Sequence, residues 1–207
     1  MDRELTLGLL ISGGGTTFLN LHRAIQEEGL PARIGCVISS NAKAPGLEHA
    51  RRLGYPHAVV SRKKFDSDRA FSQAITEKLE AHGTELAVLA GFLRRYLPAE
   101  RYKERCINIH PALLPAFGGK GFFGMHVHEA VWKRSCKLSG CTVHLVNEEY
   151  DAGTIILQKW VVLDHNDTPE DIRRKVFVLE CEALPLAIRL FAEGRIEFRD
   201  GRSIIKN

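Results

Sequence analysis

No apolar run in this 207-residue chain approaches the roughly 20 residues a helix needs to cross a bilayer, so a helical membrane protein is not expected. Cysteine lacks the patterns that would give it a job. Cys36, Cys106, Cys136, Cys141 and Cys181 are odd in number, and no two of them form a CxxC pair. A disulfide scaffold and a thiolate zinc site are both poor fits to that spacing, and the cysteines read as small core residues of a reducing compartment. An excess of one charge is missing too. The formal charge is +4, and the densest basic patch (Arg94, Arg95, Arg101, Lys103 and Arg105) reads as solvated surface. Aromatic and basic residues do not interleave along a strand face, which leaves no basis for a nucleic-acid partner. Met1 is followed by charged residues rather than an apolar leader, so a cytoplasmic protein without a membrane partner is expected. There is no internal repeat and no low-complexity tract. What remains is ordinary for a globular chain, 44% hydrophobic and 26% charged, and long enough for one α/β domain with a sizeable core.

The chain opens on Leu5-Thr6-Leu7-Gly8-Leu9-Leu10-Ile11, continuous enough in apolar character for a strand buried on both faces. It runs into Ser12-Gly13-Gly14-Gly15-Thr16-Thr17, after which Phe18, Leu21, Ala24 and Ile25 repeat at helical spacing. A strand, a glycine-rich turn and a helix N-terminus make a ready anion site, most simply for phosphate. It is not a P-loop, since no Gly-Lys-Ser/Thr follows, and the dinucleotide GxGxxG spacing fails at Phe18. Strands are expected at 33–39, 57–60 and 86–90, with helices at 46–53 and after Asp66 and Ser67, where Phe71, Ala74, Ile75 and Leu79 form a buried face. This alternation predicts an open, mostly parallel twisted sheet with helices on both faces, and ligands past the strand C-termini. Residues 138–146 and 154–163 are expected to pair antiparallel and extend the sheet. Thr168-Pro169-Glu170-Asp171 starts a long helix that Pro185 should bend or divide, and a small hairpin is expected at about 196–205. The whole, 1–207, reads as a single domain.

The chemistry gathers at Asn108-Ile109-His110-Pro111-Ala112-Leu113-Leu114-Pro115, a polar island at the end of an apolar strand. Asn108 and His110 are two apart and share one strand face, and the prolines stop regular structure on either side of a short loop. An amide beside an imidazole offers oxyanion stabilisation and proton transfer, although a satisfied strand-end pair would look the same. The glycine-dense, aromatic stretch 117–125 reads as a mobile flap, with a rigid glycine-turned loop as the alternative, and Lys120 within it as an exposed lysine. In the acid-rich loop 147–153, Asp151 precedes Ala152 and Gly153, so a carboxylate there is placed to orient His110 or hold a relay water; a plain turn role is the alternative. No set of ligand residues converges with metal-site spacing, so no metal is expected.

Taken in order, Ser-Gly-Gly-Gly-Thr, Leu89-Ala90-Gly91-Phe92-Leu93-Arg94, the Asn108–Pro115 motif, Gly140-Cys141-Thr142-Val143-His144 and Asp151-Ala152-Gly153-Thr154-Ile155-Ile156-Leu157-Gln158 strongly resemble the phosphoribosylglycinamide formyltransferase family. This family belongs to the folate-dependent formyltransferase superfamily, and the likeness covers roughly residues 5–195. It implies a Rossmann-like formyltransferase fold and a cytoplasmic, metal-free transferase of purine biosynthesis, monomer or homodimer. The implied reaction moves a formyl group from 10-formyltetrahydrofolate, the reduced-folate co-substrate, to the amine of N1-(5-phospho-D-ribosyl)glycinamide (glycinamide ribonucleotide). Carried over position by position, Asn108, His110 and Asp151 match the catalytic groups. Gly13, Gly14, Gly15, Thr16 and Thr17 match the phosphate loop, and Glu180 matches a glutamate that helps bind the ribonucleotide. Leu93, Arg94 and Val146, with Asn147, Glu148 and Tyr150, match the folate side, while His128 and His144 match supporting histidines.

The chain departs from the family pattern in several places. Gly15-Thr16-Thr17 stands where many members have Gly-Ser-Asn, which keeps a hydroxyl. Asp68, next to Arg69, stands where an arginine often meets the folate tail. Arg95-Tyr96 replaces a commoner aliphatic pair, and the flap is longer and richer in glycine. The alternatives within the superfamily are a formyltetrahydrofolate hydrolase and a formyltransferase acting on methionyl-tRNA or an amino sugar. Outside it, the alternative is a catalytically silent folate-binding homologue.

Overall fold

The computed structural model describes residues 4–206. Its sheet is seven-stranded: β1 (Leu5–Ile11), β2 (Ala32–Ser39), β3 (His57–Val59), β4 (Leu86–Leu89), β5 (Cys106–His110), β6 (Leu138–Leu145) and β7 (Ile155–Val162), in the order β3-β2-β1-β4-β5-β6-β7. β1 to β5 run parallel, and β6 and β7 extend the sheet antiparallel, as expected from the sequence. Every residue of β1 is buried, which is why that strand reads as an unbroken apolar run rather than an alternating one. Helices α1 (Thr16–Glu27), α2 (Pro45–Arg52), α3 (Asp68–Ala81), α4 (Met125–Lys133) and α5 (Pro169–Ala192) flank it. Phe18, Leu21, Ile172, Val176 and Ile188 from α1 and α5 fill one core; Phe71, Ile75 and Leu79 of α3 fill the other, with Tyr96 and Tyr102. β8 (Ile196–Arg199) and β9 (Arg202–Ile205) form the terminal hairpin, which touches β7 through Ser203 Oγ donating to the Ile155 carbonyl at 2.7 Å. Among the described residues, no helix is long and apolar enough to cross a membrane.

Local chemistry sets the helix ends. Ser67 Oγ accepts from Ala70 N at 3.1 Å to start α3. Thr168 and Asp171 form a reciprocal capping box at the start of α5, with Pro169 in its first turn. The expected break at Pro185 does not divide α5, which is one helix over 24 residues. A proline leaves the carbonyl four residues earlier without its N–H partner. That carbonyl belongs to Cys181, and the side-chain amide of Asn20 on α1 donates to it at 3.0 Å. The lost helical bond is replaced across the α1–α5 packing, a compensation invisible in the local sequence.

Strand order reverses between β1 and β4, the switch point where open α/β sheets leave a crevice past their strand ends. Ser12 closes its floor: its N–H donates to the Gly91 carbonyl at 3.0 Å, and its Oγ accepts from Leu93 N at 2.8 Å.

Candidate active site

Past these strand ends lies a cavity of about 420 Å³, whose walls include Thr16, Thr17, Leu93, Asn108, His110, His128, Tyr150, Asp151 and Glu180. A narrower cleft of about 60 Å³ lies beside it, between Arg94 and Tyr96 on one side and Val146, Asn147, Glu148 and Tyr150 on the other. The two share Phe92, Asn108, Tyr150 and Asp151. The candidate site residues read from the sequence lie at this crevice or shape the turn before it, with Leu93 on the cavity side.

Strand register builds the centre. Asn108 on β5 lies opposite His144 on β6, and His110 lies opposite Thr142. His144 Nδ1 lies 2.8 Å from the Leu145 carbonyl and must donate there, so its Nε2 accepts from the Asn108 amide at 3.1 Å. Burial holds the His144 ring below the ordinary histidine range, which favours this neutral form. His144 thereby fixes the Asn108 amide and leaves its second N–H for a ligand. Thr142 does similar work for the following loop: its Oγ1 donates to the Ala112 carbonyl at 2.7 Å and accepts from Leu114 N at 3.1 Å. Gln158 of β7 adds bonds of 3.0 Å to the Leu114 carbonyl and to Thr142 Oγ1. Neither residue was singled out from the sequence, although both stand inside the motifs that carry the family resemblance.

His110 is 3% exposed, with a partner at each ring nitrogen. Nε2 donates to the Phe117 carbonyl at 2.8 Å, and Nδ1 lies 3.5 Å from Asp151 Oδ2. Asp151 Oδ2 also accepts from Gly119 N at 2.9 Å, and Oδ1 lies 3.7 Å from His144 Nε2. The base of the flap is thus tied to both groups. Gly118 packs between these anchors, where a Cβ would lie 2.4 Å from Leu114 Cδ2 and 3.3 Å from Asp151 Cβ. Asp151 itself has φ 56, a left-handed conformation that costs a non-glycine residue energy and is held by these contacts. Further along, Phe122, Phe123 and Gly124 reach the cavity wall.

At the far wall, α1 begins at Thr16 without a side-chain cap, so its first N–H groups are left for a ligand. Gly15 takes φ 77 where a Cβ would come within 2.9 Å of Gly46 Cα, and Gly13 accepts from Gly46 N at 3.1 Å. Gly13, Gly14 and Gly15 shape the turn, and Thr16 and Thr17 border the cavity.

α5 contributes Arg173, Phe177 and Glu180. Of these only Glu180 is expected from the sequence; a spacing of four and then three residues puts all three on one helix face, the signal that marks the other two. Arg173 is held by Glu170 through bonds of 2.6 to 3.0 Å. Burial pushes the Glu180 carboxyl up to about 7, with Arg173 opposing. Burial, reinforced by Arg173, pushes His128 down to about 4, and its Nδ1 is enclosed without a hydrogen-bond partner. A carboxyl that binds its proton more tightly when folded destabilises the fold as pH rises through that window. Between pH 4.5 and 7 the ligand-free Glu180→Gln variant is therefore expected to lose less stability than the parent. Urea midpoints across this range check it, and parallel curves would refute it.

The cysteines are free thiols, and burial raises Cys106, on β5 beside the site, far above the ordinary thiol range. A thiol so resistant to ionisation is a poor nucleophile. Among the described residues, no three His, Cys, Asp or Glu side chains group as metal ligands would.

Three comparisons bear on this geometry. The formyl transferase family model matches residues 7–188. The chain is 36% identical to the chloroplastic phosphoribosylglycinamide formyltransferase of Arabidopsis thaliana, over 99% of its own length and 72% of that protein's. It is 35% identical to the Haemophilus influenzae phosphoribosylglycinamide formyltransferase, over 94% of its own length and 90% of that protein's. The crystal structure of glycinamide ribonucleotide transformylase 1 from Symbiobacterium toebii superposes with a TM-score of 0.90 at 38% identity, covering 100% of this chain and 96% of that one.

Proposed function

The chain belongs to the formyl transferase family, and on that premise we propose how its residues carry the transfer. The enzyme moves the formyl group of 10-formyltetrahydrofolate to the amine of glycinamide ribonucleotide, a step of purine biosynthesis. One observation carries the assignment of residues: cavity and cleft meet at Asn108 and Asp151, so two separate ligands reach each other at one amide and one carboxylate.

In this reading the cavity takes the ribonucleotide. The turn at Gly13, Gly14 and Gly15 presents the Thr16 and Thr17 N–H and hydroxyl groups to its phosphate, and Glu180 binds further along the same wall. The cleft takes the folate between Arg94 and the 146–150 segment, with Leu93 at the border. Folate supplies the formyl group; the protein supplies alignment and charge. The amine attacks the formyl carbon, and the free N–H of Asn108 donates to the oxygen where negative charge gathers. A protonated His110 has an acceptor at each nitrogen, Phe117 O and Asp151 Oδ2, and lends positive charge beside that oxygen. Asp151 holds the relay through which the amine proton leaves and the folate N10 gains one. His144 orients Asn108, and His128 supports the cavity wall as a neutral ring.

The proposal extends to a single domain over 1–207, acting in the cytoplasm as a monomer or homodimer with neither nucleic-acid nor membrane partner; five free cysteines suit a reducing compartment. Absorbance at the folate product band tests it, with glycinamide ribonucleotide set against water, methionyl-tRNA and an amino sugar. Turnover that requires the ribonucleotide is expected; rapid turnover in water alone would make the protein a hydrolase. Asn108→Ala should reduce kcat by roughly 100- to 1,000-fold with little change in either KM. Loss confined to KM would remove Asn108 from the transition state.

A further inference from the structure

The fold brings Asp68 and Arg95 together. Arg95 lies on the segment after β4, Asp68 opens α3, and Arg95 Nη1 is 3.9 Å from Asp68 Oδ2. The Arg95 guanidinium also donates twice to one backbone carbonyl, that of Glu148, from Nε at 3.1 Å and Nη2 at 2.6 Å. Asp68 is anchored from its other side, where Oδ1 accepts from Arg62 Nε at 2.7 Å. A chain of contacts therefore runs from Arg62 through Asp68 and Arg95 to the 147–151 loop.

At its far end the loop is held by the contacts of Asp151 with Gly119 N and His110. Glu149 N donates to Asn147 Oδ1 at 3.0 Å within the loop, and its stem is tied where Val146 N meets the Cys106 carbonyl at 2.9 Å. Among the described residues, no other side chain donates to a carbonyl between 147 and 150. Yet the loop walls the cleft and ends at Asp151, whose left-handed backbone must be kept in place beside His110. The segment bearing Arg95 also supplies Arg94 and Tyr96 to the opposite wall, so the guanidinium bridges the two walls of the cleft.

We propose that Arg95 is a positioning residue for the folate side of the reaction, and that Asp68 orients it. The inference rests on the folate reading of the cleft. A guanidinium presents its donors as a rigid planar fork, so two bonds to one carbonyl fix the spacing between walls in a way a single flexible contact does not. Asp68 and Arg95 are 35% and 41% exposed, so their mutual attraction is screened and Asp68 acts mainly by aiming the fork.

Calorimetry with tetrahydrofolate, which carries no formyl group to transfer, reads the folate side without catalysis. Arg95→Met is expected to raise its Kd, and the KM for 10-formyltetrahydrofolate, about tenfold. The KM for glycinamide ribonucleotide and the thermal midpoint should stay near the parent's. Arg95→Lys should recover part of the loss, because one ammonium reaches the carbonyl without the fork. Asp68→Asn should weaken folate binding less than Arg95→Met does, and should add nothing in the Arg95→Met background. A folate Kd within threefold of the parent in Arg95→Met, or equal losses for both substrates, would overturn the proposal. Failure of the parent protein to bind tetrahydrofolate at all would instead overturn the folate reading.

Discussion

His110→Ala is expected to lose about 100- to 10,000-fold in kcat while retaining a native circular dichroism spectrum. The ring sits between the Phe117 carbonyl and Asp151, so its removal takes away the side chain that bridges the flap base and the carboxylate. The same removal leaves Asp151 with Gly119 N as its one short partner, at 2.9 Å. On the proposed roles His110 and Asp151 act as one unit, so His110→Ala/Asp151→Asn should cost little more than His110→Ala alone. Multiplying losses would mean that the two work independently. Near-parental turnover by folded His110→Ala would remove the imidazole from the chemistry. Truncation also leaves the half-buried Phe117 carbonyl without its donor, so stability should fall by about 1 kcal/mol, measurable by urea titration.

Gly153→Ala should act through the backbone, with a larger effect on stability. A Cβ at Gly153 would lie 1.8 Å from the Leu145 carbonyl oxygen and 2.7 Å from its carbon, and neither can swing aside as a side chain would. Relief requires the loop to part from the end of β6, where Leu145 N donates to the Thr154 carbonyl at 2.9 Å. We expect a loss of more than about 3 kcal/mol, beyond the usual cost of overpacking, together with a steep fall in kcat/KM because Asp151 lies two residues away. Denaturant midpoints and turnover measured on the same preparation check both parts. An unchanged midpoint would show that the loop has room the geometry denies. The pairing explains why glycine follows Asp151-Ala152: the carboxylate reaches His110 because the chain behind it runs against another backbone.

Much of this arrangement is written in local patterns. The buried run Leu5–Ile11, the glycines after it and the repeat from Phe18 specify a strand, a turn and a helix without help from the rest of the chain. The cap at Thr168 starts α5 in the same way. These features depend on the period of apolar residues and on the chemistry of a few end positions, both of which lie within a dozen neighbours. Asn108 and His110 were legible for the same reason, being two polar residues on one face of an apolar strand.

Contacts between distant segments settled the rest. The continuity of α5 through Pro185 depends on Asn20, and the aim of the Asn108 amide depends on His144 across the β5–β6 register. Arg173 and Phe177 join the site only because α5 lies along the cavity, and Arg95 meets Glu148 only once two loops close over the cleft. The sequence alone determined which elements form and which residues stand as candidates for the chemistry, because propensity and periodicity act over short stretches. Only the tertiary structure decided which nitrogen of His110 meets Asp151 and what holds the loop in place, because a hydrogen bond needs its partner within about 3 Å, and those partners lie tens of residues apart in the chain.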